Sequence, residues 1–238
     1  MVPLETTTGP EVLVSGRRFA LALLAAIAAA ALAGSIAWYG LKGFVPASPL
    51  QQIVVFVVYA ALVAVFCGAF RPPTVPPLAL RFSGIRNALI AVAAAIALMA
   101  LCALLYAALG PFFGGFRHLL AQLTAIATDA KRLQGQSRLS WTIAIARGCL
   151  LVPVFEELFF RGLLLTWLNR HMRFLPALVV MSALFAAMHV YPIALPYAFL
   201  FGLAAGTVRR ATGSTLNAVL MHVLNNVVLL AVGLHFYR

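Results

Sequence analysis

Hydrophobic residues in this chain are gathered into seven long runs that are separated by short polar segments. The runs cover residues 19–39, 50–70, 85–109, 141–168, 174–190, 192–208 and 214–236. A helix needs about 20 apolar residues to cross the roughly 30 Å hydrocarbon core of a bilayer, and the runs have about this length. The pattern predicts an all-α fold, a polytopic integral membrane helical bundle of about seven to eight transmembrane helices.

One segment between the third and fourth runs has a different pattern. Residues 116–133 place apolar side chains on one helical face, while Arg117, Asp129 and Arg132 lie on the other. We expect this basic amphipathic helix to lie in the membrane interface, with its cations toward the lipid headgroups. The alternative is a helix that gates the substrate or docks a partner.

The composition excludes a soluble enzyme. Of 238 residues, 64% are hydrophobic and 9% are charged, whereas about a quarter of the residues of soluble domains are charged. The net charge of +12 comes from cations at the edges of the apolar runs, where they meet headgroups, so we expect no nucleic-acid partner. The first run resembles a signal peptide, but we expect a retained span because it continues past Ala31-Leu32-Ala33.

Acidic residues are scarce, and two of them lie side by side in an apolar run. The chain has five Asp and Glu residues in total, including Glu156 and Glu157. Charges at membrane depth cost about 2.5 to 3.5 kcal/mol each, so they are functional candidates. Glu157 and Arg161 are four residues apart and are expected to pair on one helical face. Glu156 is turned about 100° away and, without a cation of its own, is a candidate general base.

Further polar residues lie in the last runs. His189 follows an apolar stretch, and His222 and Asn226 are four residues apart on one predicted helix. Because buried polar groups need partners, the arrangement of lowest energy brings Glu156, both histidines and Asn226 together. Asn225 could take the place of Asn226. The sequence signatures of other intramembrane proteases are absent from this chain. It has no H-E-x-x-H motif of zinc proteases, only one aspartate where an aspartyl dyad needs two, and no serine-protease motif.

Three short motifs follow one another on the fourth, fifth and seventh runs. They are E-E-x-x-x-R (Glu156, Glu157, Arg161), F-x-x-x-H (Phe185, His189) and H-x-x-x-N (His222, Asn226). Together they resemble the CPBP family, which comprises type II CaaX prenyl endopeptidases and their bacterial Abi or bacteriocin-immunity relatives. The sequences F-G-L-A-A-G at 201–206 and T-G-S at 212–214 are also similar, and the resemblance covers roughly residues 149–226.

The resemblance implies an intramembrane endopeptidase with its site among the last four runs. It implies that Glu156 with His189 activates a water, while His222 with Asn226 stabilises the oxyanion. The supporting residues would be Glu157, Arg161 and Phe185, the first two holding their helix in place. We therefore expect N-terminal transmembrane helices and the amphipathic helix over residues 1–140, and a catalytic core over 141–238, in a single membrane-embedded unit.

A metal is an open alternative for this chemistry. Glu156, His189 and His222 are also a ligand combination that catalytic zinc uses, with a water in the fourth position. We favour the metal-free glutamate mechanism, because Asn226 is a better oxyanion donor than a zinc ligand.

Three functions are considered for this sequence. The first is intramembrane proteolysis of a membrane-associated protein or peptide, and the second is a non-proteolytic immunity or partner-stabilising protein on the same scaffold. The third, a proton-coupled transporter, lacks an inverted repeat. Arginine outnumbers lysine fifteen to two, as in GC-rich coding, so we expect a multi-pass protein of a bacterial inner membrane.

Overall fold

A computed structural model describes residues 79–112, 138–189 and 194–236. All of them belong to the second of the two compact units into which the chain divides, Leu78–Arg238. The described residues form helices and no strand, which confirms the all-α prediction. The predicted spans at 19–39 and 50–70 and the amphipathic helix at 116–133 lie outside the described residues, so the number of spans stays a prediction.

Five helices make up the described part of the chain. Helix α1 covers Ile85–Leu109 and is followed by a short 3-10 turn, Gly110–Phe112. Helix α2 is composite and runs without interruption from Arg138 to His171. Helices α3, α4 and α5 cover Phe174–Ala187, Leu195–Thr212 and Thr215–Phe236. By length and composition, α1 and the Thr215–His235 part of α5 could each cross a membrane, with mean hydropathies of 2.8 and 1.8.

Helix α2 changes its winding twice. It is α-helical over Arg138–Ala146, Val152–Glu157 and Leu165–His171, and π-helical over Arg147–Leu151 and Leu158–Leu164. The two π segments lie on either side of the segment that ends with the glutamate pair. Short π segments inside α-helices are frequent at functional sites.

Pro153 accounts for an unmade bond in the first π segment. The N–H of Val152 donates to the carbonyl of Arg147, five residues earlier. The next bond in this series would run from residue 153 to Gly148, but proline has no N–H. The Gly148 carbonyl is therefore left without a donor from its own helix.

Helices α3 and α4 cross at very close range. A Cβ atom built on Gly202 would lie 2.8 Å from Cβ and 2.9 Å from Cα of Ser182, and one on Gly206 would lie 2.3 Å from Cδ1 of Leu178. Small residues spaced four apart let the backbones of membrane helices approach each other. The glycines of F-G-L-A-A-G therefore bring α3, with Phe185, against α4.

The segment before α1 holds the start of α5. The Ser214 hydroxyl donates to the Arg81 carbonyl at 2.6 Å, and the Thr215 N–H donates to the Ala79 carbonyl at 3.0 Å. Gly213 ends α4 with φ 64°, a left-handed conformation that favours glycine. These contacts fix the α4–α5 turn, from which α5 carries His222 and Asn226 toward α2.

Candidate active site

The two glutamates of α2 lie in different environments. Glu157 and Arg161 are fully buried, and Nη1 of Arg161 donates to Oε1 of Glu157 at 2.7 Å. The side chain of Glu156 is 24% exposed. The pairing predicted from the four-residue spacing is thus confirmed, and the neighbouring carboxylate is left accessible.

His222 lies between the two carboxylates. Its Nδ1 is 2.8 Å from Oε1 of Glu157, and its Nε2 is 3.8 Å from Oε2 of Glu156. A carboxylate oxygen can only accept a hydrogen bond, so Nδ1 of His222 carries a proton and donates the hydrogen bond to Glu157. Glu157 therefore orients His222 as well as binding Arg161, a contact that the sequence did not predict.

Aromatic rings enclose the buried Arg161. Its guanidinium carbon lies 4.4 Å from the ring centre of Phe185 and 5.4 Å from that of Phe201. The His222 ring packs 4.6 Å from the Phe201 ring and 6.1 Å from the Phe185 ring, measured between centroids. Nε and Nη2 of Arg161 have no hydrogen-bond partner within the described ranges, so these rings supply much of what the cation contacts.

His189 lies two residues after the end of α3 and is half-buried. Its Nδ1 is 3.0 Å from the Phe185 carbonyl, and its ring is 4.9 Å from the Phe185 ring. Among residues 79–112, 138–189 and 194–236, His189 forms no ion pair with a carboxylate. Phe185 thus contacts both histidines, while a direct partnership of His189 with Glu156 stays a prediction.

Asn226 is attached to the first π segment of α2. Its Nδ2 donates to the Gly148 carbonyl at 2.9 Å, the carbonyl that Pro153 leaves without a donor. Amide nitrogens carry two N–H groups, so a second one remains for another acceptor. Asn226 therefore has a structural bond that ties α5 to α2 beside the glutamate pair.

Asn225 extends this contact toward α4. Its Nδ2 donates to Oδ1 of Asn226 at 3.2 Å, and its own Oδ1 accepts from the Tyr197 hydroxyl. Asn225 and Asn226 are 3% and 9% exposed. The two amides are therefore hydrogen-bonded to each other, and which of them serves the reaction stays a prediction.

The described side chains do not present a ready zinc site. No group of three or more His, Cys, Asp or Glu residues in the described part of the chain is close enough to hold a metal ion. Glu156 and His222 come together, but His189 does not join them in this conformation. The suggested ligand set of Glu156, His189 and His222 thus lacks its third member here.

Sequence reasoning missed three residues around the site. Phe201 was part of the F-G-L-A-A-G motif but carried no role, Tyr197 was unremarkable in an apolar run, and Gly148 lay outside the motifs. Two features of the sequence point to these contacts. Pro153 inside a long apolar run predicts an unpaired carbonyl, and a buried tyrosine needs a hydrogen-bond partner.

In a comparison with protein-family models, residues 138–228 match the family described as type II CAAX prenyl endopeptidase Rce1-like. No curated protein and no solved structure matches the chain. The match confirms the recognition of the CPBP family over the part of the chain that carries the three motifs. The similarity is thus to a family of CAAX-type proteases, and it covers described helices that are largely apolar.

Proposed function

We propose that this chain, similar over residues 138–228 to the Rce1-like endopeptidases, is an intramembrane endopeptidase that cleaves a membrane-associated protein or peptide. One observation carries the proposal. An accessible carboxylate, that of Glu156, lies 3.8 Å from the free nitrogen of a histidine that a second carboxylate orients. In such a pair the carboxylate can take a proton from the attacking water, while the histidine donates to the carbonyl oxygen of the substrate.

Glu156 is the general base in this proposal. It takes a proton from water as the water oxygen bonds to the scissile carbonyl carbon, and it later gives that proton to the leaving amine as the C–N bond breaks. His189, just after the end of α3, assists in orienting the water. General acid–base catalysis of this kind contributes about 10²- to 10⁴-fold in rate.

His222 and Asn226 stabilise the oxyanion. Because Nδ1 of His222 donates to Glu157, Nε2 can donate only when the ring is protonated. Donors directed at developing charge are strongest where water is excluded.

Substitution of Glu156 by Gln tests the proposal. We expect Glu156→Gln to abolish a set of cleavages seen when the termini of membrane proteins are compared between wild-type and variant cells. The substitution keeps the shape of the side chain, so immunoblotting of the membrane fraction should give equal protein levels. Full biological activity of Glu156→Gln would instead support a non-proteolytic immunity or partner-stabilising protein.

A histidine pair provides a matched control. His171 lies on α2 and is exposed, and its one hydrogen bond within the described part of the chain is to the Trp167 carbonyl in its own turn. We expect His222→Gln to lose the Glu156-dependent cleavages and His171→Gln to keep them. His189→Gln examines the water-orienting role in the same experiment, and unchanged cleavage would remove His189 from the proposal.

The location and substrate class follow from the same proposal. We place the protein in a bacterial inner membrane as a multi-pass protein, which its composition and arginine-rich usage support. Its substrate is a peptide segment held at the membrane, because the site lies among apolar helices. Sequencing the new termini that depend on Glu156 identifies that segment.

A further inference from the structure

A chain of hydrogen bonds leads away from the site to a tyrosine that none of the motifs contains. It begins at the Tyr197 hydroxyl on α4, passes through Asn225 and Asn226 on α5, and ends at the Gly148 carbonyl on α2. Three helices are thus connected through two buried amides. The carbonyl at which this series of hydrogen bonds ends determines which group donates and which accepts in each bond.

The Gly148 carbonyl sets the orientation of every group before it. A carbonyl only accepts, so Asn226 must turn its Nδ2 toward Gly148 and its Oδ1 toward Asn225. Asn225 must then give its Nδ2 to Asn226 and turn its Oδ1 toward Tyr197. The Tyr197 hydroxyl is therefore held as a donor, although a phenol can also accept.

Removal of that donor affects more than one bond. Without the Tyr197 hydroxyl, the Asn225 amide keeps only the bond from its Nδ2 to Asn226 and loses the bond that holds its Oδ1. An Asn225 side chain held at one end can move away from Asn226, and Oδ1 of Asn226 then loses its donor, so that the Asn226 amide is held only at Gly148. Connected polar groups of this kind respond together rather than singly.

We propose that Tyr197 is a positioning residue for the peptidase site, acting through Asn225 to hold the amide of Asn226 in the orientation that offers its second N–H to the reacting carbonyl. This inference rests on the proposed function. It assigns Tyr197 no contact with the substrate, so its loss affects the rate of the chemical step rather than substrate binding.

Steady-state kinetics test the inference. The probe is a synthetic peptide spanning a Glu156-dependent cleavage site, and the enzyme is the full chain in lipid nanodiscs. We expect Tyr197→Phe to lower kcat by about 10- to 100-fold, as misplacement of a catalytic group does, and to leave KM within about twofold. The matched control is Thr207→Val, which should leave both constants unchanged. It removes a hydroxyl from α4 whose one bond to a described residue is to the Leu203 carbonyl in its own turn.

A double variant separates positioning from a general structural effect. If Tyr197 acts through Asn226, then Tyr197→Phe should have no further effect on kcat in an Asn226→Ala background, because coupled residues are not additive. A multiplicative effect, or a kcat within twofold of wild type for the single variant, overturns the inference. If the Tyr197→Phe protein does not accumulate, Asn225→Ala breaks the same chain one step later and must give the same two results.

Failure of the underlying function gives a different result. If wild-type and Glu156→Gln proteins yield identical termini, the peptidase proposal is wrong and the role of Tyr197 falls with it. If Glu156-dependent cleavage is present and Tyr197→Phe leaves it unchanged, only the role of Tyr197 is wrong.

Discussion

Oε1 of Glu157 accepts hydrogen bonds from two cationic or potentially cationic side chains, Nη1 of Arg161 at 2.7 Å and Nδ1 of His222 at 2.8 Å. The first bond lies within one helix and the second joins α2 to α5. One buried carboxylate oxygen thus links the structural ion pair to the histidine of the site. Glu156, one residue earlier, shares neither the burial nor the bonds.

The contrast between the two glutamates predicts that the same substitution destabilises the protein much more at Glu157 than at Glu156. Glu157→Gln leaves the buried Arg161 without a counter-charge, and loss of one partner of a buried pair costs about 3 to 5 kcal/mol. Glu156→Gln removes a partly exposed carboxylate and should change the unfolding free energy by less than about 1 kcal/mol. Thermal unfolding in detergent micelles measures both, with wild-type protein as the reference.

The activity of these variants completes this prediction. Both should lose peptidase activity, Glu156→Gln through loss of the base and Glu157→Gln through loss of the His222 orientation. A Glu156→Gln protein that unfolds more easily than Glu157→Gln would contradict the assignment of the structural role to Glu157.

The second prediction concerns Arg161, where substitution by lysine separates the effect of the positive charge from that of the planar guanidinium. Arg161→Lys keeps the positive charge near Glu157 but removes the planar group that packs between Phe185 and Phe201. We expect a loss of about 1 to 3 kcal/mol in unfolding free energy, since lysine does not replace arginine where the guanidinium is stacked. Arg173→Lys, at an exposed position between α2 and α3, is the control, and equal melting temperatures for the two variants would count against the stacking.

The contact that the sequence predicts correctly joins two residues of one helix. The spacing of Glu157 and Arg161 was enough to predict their ion pair, since residues four apart share a helical face. The bond between His222 and Glu157 joins residues 65 positions apart, so spacing within a helix could not reveal it. The π segments of α2 were missed for a related reason, because apolar runs are continuous through α and π winding alike.

The helix crossing at Gly202 yields a third prediction. A methyl group at Gly202 meets Cβ and Cα of Ser182, whereas one at Gly206 meets the ends of the Leu178 and Met181 side chains. Flexible side chains can move aside and backbone cannot, so Gly202→Ala should destabilise the protein by about 1 to 3 kcal/mol and Gly206→Ala by less. Thermal unfolding of the pair tests the order, and a more damaging Gly206→Ala would show that α3 and α4 do not cross as described.

A fourth prediction concerns Pro153 and the carbonyl that it leaves unpaired. Pro153→Ala provides an N–H five residues after Gly148, which can complete the π-helical series and compete with Nδ2 of Asn226 for the same carbonyl. We expect the variant to keep its unfolding temperature but to lose activity, because α2 becomes self-sufficient while Asn226 is released. Cleavage of the Glu156-dependent peptide and thermal unfolding measure the two effects.

The cost of Asn226→Ala in two backgrounds tests whether the missing N–H of Pro153 is the cause. In the wild-type background, Asn226→Ala leaves the Gly148 carbonyl without a donor, which costs about 1 to 3 kcal/mol for a buried polar group. In the Pro153→Ala background the new N–H takes over, so the same substitution should cost clearly less. Equal costs in both backgrounds would mean that the missing proline N–H does not explain why Asn226 bonds to α2.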